Sequence, residues 1–419
     1  MRRERGAAVQ VNLDGYRMTR LLRAPGSTTV YEAIREADGR RVVAKAYELG
    51  SPDEGLETRA QHEFRLIQAL ELEGVVRALA LERVGNHLVL ILDWFEGINL
   101  EQLCRGQPLP LEDFFTVALA VSDSLARVHA QRVIHRDIKP TNILIDRSRT
   151  RVVLADFGIS VLLASERERI NDPRVVEGTL PYIAPEQTGR TGREVDFRSD
   201  LYSLGVTFYE LLTGRRPFEA LAPLELIHAH LARRPEAPLW LRPELPAPLS
   251  AIVMKLLEKA PERRYQSAAG LYEDLLALRD ALAQGDSVEG FELARHDVPS
   301  TLQLPHRVYG RASETAQLVD AFRGAAQGRT AFVVIEGPSG IGKTALVEQL
   351  VEPTLARRGY FARGRFERDG VEQPFTALAS AFTELADQLL TESDERLARW
   401  RALLREQLGG LGRVLIRLV

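Results

Sequence analysis

The stretch His135-Arg136-Asp137-Ile138-Lys139-Pro140-Thr141-Asn142, followed fourteen residues after Asn142 by Asp156-Phe157-Gly158, constrains this chain more than any other part of it. The short apolar runs Ile143-Leu144-Ile145 and Val152-Val153-Leu154 lie between the two motifs and read as strands flanking one polar site. The residue types suit phosphoryl transfer from ATP, where little covalent work is required. The protein must position a hydroxyl, neutralise phosphate charge and hold a metal. Asp137 can accept the proton of an incoming hydroxyl, and Lys139 can sit beside the transferring group. Asn142 and Asp156 offer oxygens to Mg²⁺, a hard cation that prefers them. A polar turn between two strands would explain neither the length of the match nor its spacing.

At 419 residues the chain exceeds one ordinary core, so two or three domains are expected. The 45% apolar and 27% charged residues are those of a globular protein. A net charge of −3 without a basic stripe gives no reason to expect nucleic acid. The single cysteine, Cys104, cannot form an internal disulfide, which fits a reducing compartment and argues against a Cys-rich zinc site. It reads as a small, partly buried hydrophobe. No apolar run reaches the ~18 residues of a membrane-spanning helix. The Arg-rich start lacks the apolar region of a leader, so a cytoplasmic location is expected.

Residues 1–11 form a basic, polar lead. Residues 29–34 alternate as a strand, Asp38-Gly39 is a hairpin signal, and Arg41-Val42-Val43-Ala44-Lys45-Ala46 is the next strand. A helix is expected over 58–72, with Phe64, Ile67 and Leu70 near one face. Glu63 lies on it, eighteen residues after Lys45, and is the candidate ion-pair partner of that lysine; Glu57 and Glu71, near the helix ends, are rivals. Residues 87–95 read as an apolar strand pair entering a hinge at Asp93-Trp94-Phe95-Glu96-Gly97. Backbone groups from Asp93 to Phe95 could hydrogen-bond an adenine edge, while Trp94 reads equally well as ordinary packing. A long amphipathic helix over 111–131 leads into the polar site, and a second over 199–212 stops at Gly214.

In this order and at these spacings, residues 12–280 resemble a serine/threonine protein kinase domain. Val42-Val43-Ala44-Lys45 resembles the kinase strand whose lysine contacts the α- and β-phosphates, and Ala184-Pro185-Glu186 matches the A-P-E that closes an activation segment. Asp200-Leu201-Tyr202-Ser203-Leu204-Gly205 looks like the central helix whose aspartate braces the catalytic loop. Pro261-Glu262-Arg263-Arg264-Tyr265 resembles the late segment whose arginine pairs with the A-P-E glutamate, which aligns Arg264 with Glu186. The resemblance implies an α+β, bilobal protein-kinase-like fold, with ATP and Mg²⁺ held between the lobes and a protein serine or threonine as acceptor. It assigns Val30, Ala44 and Leu144 to the adenine sandwich, beside Lys45, Asp93 and Phe95. One departure stands in residues 22–29, where the family shows G-x-G-x-x-G and this chain keeps only Gly26, out of place. Glycine lets backbone close over phosphates without side-chain clash. Ser27, Thr28 and Thr29 could donate N–H and hydroxyl groups there instead, in a stiffer cover. Two readings follow: an active kinase, or a weakly active or inactive kinase-like module that binds nucleotide and relays signals by interaction. Between Gly158 and Gly178 the only hydroxyl residues are Ser160 and Ser165, while Glu166, Glu168 and Asp172 supply negative charge. Activity independent of loop phosphorylation is therefore expected, although Arg136 precedes Asp137.

Residues 281–306 are polar and weakly patterned, as a linker. Arg307-Val308-Tyr309-Gly310-Arg311 opens a helix over 313–322, and 331–336 is expected as a buried strand. It runs into Gly337-Pro338-Ser339-Gly340-Ile341-Gly342-Lys343-Thr344, a G-x-x-x-x-G-K-T phosphate loop between strand and helix. Backbone amides at Gly337, Gly340 and Gly342 would cradle phosphates, Lys343 would reach the β/γ oxygens and Thr344 would bind Mg²⁺. A kinase domain followed by a Y-G-R entry and a phosphate loop resembles the N-terminal part of large bacterial hybrid sensor kinases. In these an AAA-type ATPase follows the kinase-like domain, and sensor and histidine kinase modules come after. Residues 177–190 and Gln373-Pro374-Phe375 carry the same likeness. No apolar strand ending in acidic residues follows the phosphate loop. Residues 307–419 are thus expected to be the truncated start of an α/β P-loop NTPase, in a fragment of a longer protein whose downstream modules are its partners.

Overall fold

The structure is a computed structural model that describes residues 12–23, 28–49, 55–158, 160–162, 179–191, 193–220, 223–299, 310–338, 340–357, 359–364, 366, 375–390 and 394–408. Gly26, Ser27, Ser165, Glu166, Glu168, Asp172, Gln373 and Pro374 lie outside these residues.

The small lobe is a five-stranded antiparallel sheet in the order β1-β2-β3-β5-β4. Its strands are β1 (Tyr16–Arg23), β2 (Thr28–Arg35), β3 (Arg41–Glu48), β4 (Ala78–Val84) and β5 (His87–Asp93). Strand side chains alternate between faces, and β5 shows the consequence. Val89 and Ile91 join Tyr31, Ala33, Val42, Ala44 and Ala46 in one apolar layer. Leu88, Leu90 and Leu92 point the other way, into the main core shared with helix α1 (Leu56–Leu70). Gly39 turns the β2–β3 hairpin at φ 71°, where L residues are strained. Two expectations shift here. The single run 87–95 is one strand, β5, paired with β4, which the sequence reading missed because Ala78–Val84 is half-buried along most of its length and lacks clean alternation. Helix α1 starts and stops two residues before the expected 58–72, closing where Glu71 enters the left-handed region at φ 34°.

The large lobe is built on helices. They are α2 (Leu100–Cys104), α3 (Leu111–Ala130), α4 (Phe197–Thr213), α5 (Pro223–Ala232), α6 (Pro238–Leu241), α7 (Ala247–Leu256) and α8 (Ala268–Gln284). Helix α4 is buried along nearly its whole length and ends at Gly214, whose N–H returns to the Glu210 carbonyl at 2.8 Å. A small sheet, β6 (Gly97–Asn99), β8 (Ile143–Asp146) and β9 (Val152–Leu154), carries the loops 135–142 and 156–158. The strands β7 (Val133–Ile134) and β10 (Val161–Leu162) pair beside it. Part of the stretch read as linker is packed. Val288, Phe291, Leu293 and Ala294 lie against the large-lobe core, and Asp297 accepts from Gln266 N at 2.6 Å and Ser267 Oγ at 2.8 Å.

Beyond residue 310 follow α9 (Ala312–Ala325), α10 (Lys343–Glu348), α11 (Val351–Ala356), α12 (Thr376–Leu390) and α13 (Asp394–Leu408). The strand expected over 331–336 is not formed: Phe332 is 91% and Val334 64% exposed. A strand needs a neighbour for its N–H and C=O groups, and none stands beside this stretch among the described residues. No helix of the described residues is long and apolar enough to cross a membrane.

Candidate active site

Lys45 projects from β3 toward α1, which presents the fully buried Glu63. Lys45 Nζ lies 3.0 Å from Glu63 Oε1 and 2.9 Å from Oε2, and 2.7 Å from Asp156 Oδ1. Of the rivals, Glu57 meets Arg83 at 3.4 Å, and Glu71 terminates α1. Tyr47 was not anticipated. Two residues beyond Lys45, it shares that lysine's face of the strand and donates its hydroxyl to Glu63 Oε2. The electrostatics are mutual. Burial opposes the charge on Lys45, but the carboxylates of Asp156 and Glu63 outweigh it and hold the ammonium well above its ordinary pKa. Lys45 in turn holds the Asp156 carboxyl far below the usual carboxylate range, against the effect of burial.

The loop 135–142 hangs from α4. Asp200, fully buried, accepts Arg136 N at 2.7 Å on Oδ1 and His135 N at 2.8 Å on Oδ2, with the His129 ring Nε2 2.9 Å from Oδ2. Arg136, beside Asp137, and Asp156 itself both have positive φ, 68° and 66°, so each polar loop is strained at or next to its carboxylate. Both oxygens of Asp137 are engaged. Oδ1 accepts Thr179 Oγ1 at 2.7 Å and Thr179 N at 3.2 Å. Oδ2 accepts Asn142 Nδ2 at 2.9 Å and also Lys139 Nζ, which reaches Thr179 Oγ1 at 2.5 Å. Asn142 Nδ2 further bonds the Asp137 carbonyl at 2.9 Å, so its amide nitrogen is committed to Asp137, while its Oδ1 accepts from the Thr141 hydroxyl at 3.4 Å. Thr179 escaped the sequence reading. The only available signal was a hydroxyl residue at the start of the Leu180-Pro181-Tyr182-Ile183-Ala184-Pro185-Glu186 anchor.

That anchor is locked from below. Arg264 and Glu186 form a fully buried bidentate pair at 2.6 and 2.8 Å, and Ser199 Oγ adds a bond to Glu186 at 2.7 Å. Gln187 Nε2 reaches the Arg136 carbonyl at 3.0 Å, tying the anchor to the loop 135–142. Of the expected adenine contacts, Ala44 is fully buried on β3, with Val30 on β2 and Leu144 on β8 half-buried. At the hinge Asp93 N is spent on the Arg77 carbonyl at 2.9 Å. Trp94 lies under the Arg41 guanidinium at 4.1 Å and donates to Glu96 at 2.9 Å, an outward clasp, and Phe95 packs on the core.

In the phosphate-loop segment, Gly340 and Gly342 take φ of 81° and 94°, and Gly337 opens the loop. Lys343 Nζ folds back on the Gly337 and Pro338 carbonyls at 2.8 and 2.9 Å, and Thr344 is exposed at the start of α10.

The sequence matches the protein kinase domain family over residues 20–275 and the AAA ATPase domain family over 307–417. It is 35% identical to the serine/threonine-protein kinase pkn2 of Myxococcus xanthus over 65% of this chain and 33% of that protein. It is 34% identical to the serine/threonine-protein kinase PknB of Mycobacterium tuberculosis over 46% of this chain and 30% of that protein. A hybrid signal transduction histidine kinase, G, of Dictyostelium discoideum is 28% identical over 72% of this chain and 11% of that protein. The chain thus spans a third or less of the length of these three relatives. The chain belongs to the protein kinase domain family, carrying after its kinase domain an AAA ATPase domain, and both imply the use of ATP.

Proposed function

We propose that this chain transfers the γ-phosphoryl group of ATP to a serine or threonine hydroxyl of a protein, in bacterial signal transduction. The observation that carries this reading is the double clamp: Asp137 held by Lys139, Asn142 and Thr179, while Lys45 bridges Glu63 and Asp156. Asp137 accepts the proton of the acceptor hydroxyl as its oxygen bonds to phosphorus and the bond to the leaving phosphate oxygen breaks. Lys139 neutralises charge on the transferring group, and Lys45, oriented by Glu63, takes the non-bridging phosphate oxygens. Val30, Ala44 and Leu144 enclose the adenine, and the Asp93 carbonyl with the backbone of Phe95 reads its edge, since Asp93 N is spent on Arg77. Asn142, with its amide nitrogen spent on Asp137, keeps its Oδ1 as the hard oxygen, and with the Asp156 carboxylate it would make a donor set suited to Mg²⁺. When bound, Mg²⁺ neutralises phosphate charge.

In this reading the kinase domain covers 12–280, with 288–297 packed against it, and the ATPase segment covers 307–419. There Gly337, Gly340, Gly342, Lys343 and Thr344 would hold a second nucleotide with its Mg²⁺, weakly at most and without useful hydrolysis. The protein works in the cytoplasm, within a longer chain whose sensor and histidine kinase modules are its partners. The glycine-poor residues 22–29 favour a second reading, a weakly active nucleotide-binding module that signals by interaction. Incubation with labelled ATP, Mg²⁺ and generic acceptors decides between them. Asp137→Asn is expected to lower transfer about 10²–10⁴-fold, the usual worth of a positioned general base, with ATP binding little changed. Equal transfer by mutant and wild type would overturn the kinase reading.

A further inference from the structure

Leu180 directly follows Thr179, whose hydroxyl rests on Asp137. It packs against a cluster that joins the two halves of the chain. Ile227 and Leu231 of α5 meet Val351 and Leu355 of α11, with Phe361 beside them, and all four core side chains are buried. His228 Nε2 lies 3.1 Å from the Leu355 carbonyl. Helix α11 follows α10 in the chain, so the ATPase segment sets the continuation of its phosphate-loop helix on the large lobe.

We propose that α11 and Phe361 of the ATPase segment restrain the kinase by covering the apolar surface of Leu180, Ile227 and Leu231, which an acceptor protein needs to reach Asp137. Thr179 Oγ1 lies 2.7 Å from Asp137 and Leu180 is the next residue, so with about 3.3 Å per residue of extended chain a residue one or two positions from an acceptor hydroxyl at Asp137 can reach Leu180. Apolar side chains there would be drawn to the same surface that Val351 and Leu355 occupy. The cover is also releasable. A ten-residue helix and a six-residue helix meet through four core side chains, a contact small beside the folded core of the large lobe.

This inference rests on the kinase reading, and the test separates the two. Full chains carrying Val351→Asp or Leu355→Asp are compared with wild type for phosphorylation of casein. The variants are expected to show an acceptor KM about tenfold lower, as if the covered form holds roughly nine in ten wild-type molecules, with the KM for ATP unchanged. Leu231→Cys/Leu355→Cys in a Cys104→Ala background, bridged by a short bismaleimide, is expected to lose casein phosphorylation and keep ATP binding. Asp137-dependent transfer that is present but unaltered by the aspartates, or a bridged form as active as the unbridged one, overturns the restraint alone. Absence of Asp137-dependent transfer in every form overturns the kinase reading and the restraint with it.

Discussion

Replacing Asp200 by Asn tests whether the loop around Asp137 is held by one buried carboxylate. Asp200 serves two backbone donors from opposite oxygens, Arg136 N at 2.7 Å and His135 N at 2.8 Å. An amide offers one acceptor oxygen and one NH₂, so in either orientation one of these N–H groups faces another donor. A buried N–H left unpaired costs about 1–3 kcal/mol, and the surviving bond loses charge assistance worth roughly a further 1 kcal/mol. The loop can then relax, because the positive φ of Arg136 stores strain on the order of 1–3 kcal/mol that Asp200 now holds in place. A penalty of about 2–4 kcal/mol, read as lost population of the competent loop, lowers kcat roughly 30- to 1000-fold. Lys45, Glu63 and Asp156 are untouched, so nucleotide affinity should hold. Steady-state kinetics and nucleotide titration on the same preparation, with circular dichroism to establish folding, measure each part. A folded Asp200→Asn protein with kcat within threefold of wild type would refute the reasoning.

Tyr47→Phe removes one bond to a buried carboxylate and should lower stability by about 1–3 kcal/mol with a modest loss of transfer; an unchanged thermal midpoint would show that the hydroxyl is idle. Arg264→Met strands Glu186 in the core and should cost about 3–5 kcal/mol in urea denaturation, and adding Glu186→Gln should restore part of it. Lys259, buried and beside Arg264, has its pKa pulled down from 10.5 to about 7. The unfolded chain therefore holds more protons between pH 7 and 10.5, and this group's contribution to stability rises with pH across that window. The denaturation midpoint of wild type should gain more from pH 7 to pH 9 than that of Lys259→Met, and equal gains would contradict the assignment.

What could be read in advance was local and chemically specific. The loops around Asp137 and Asp156 must carry those residue types wherever they are built, and the stop at Gly214 follows from the backbone it requires. The partner of Lys45 could be chosen among three glutamates because helix ends are solvated and helix middles are not. Contacts set by distant chain were hidden. Thr179 reaches Asp137 across forty-two residues, and its place before the 180–186 anchor does not say which carboxylate it meets. Residues 331–336 look like a strand by composition, but pairing is a property of neighbours, and an apolar run alone does not supply one. The stretch 288–297 misled in the opposite way. It is polar because carboxylate and backbone bonds, as much as apolar burial, fasten it down.

That fastening has a consequence for anyone who transplants this domain. The carboxylate of Asp297 stands at the first turn of α8, where Gly270 leaves no room for a side chain: a Cβ there would meet Asp297 Oδ1 at 2.5 Å. Ala294 N is bound to Asp274 Oδ2 at 2.6 Å, and that same oxygen takes the Tyr265 hydroxyl at 2.5 Å. A gene fusion joined just after α8 would leave Asp274 and the first turn of α8 open to water, beside the tyrosine that follows Arg264. The seam that respects the molecule lies past residue 297, and chimaeras cut on either side of it should differ in yield before they differ in specificity.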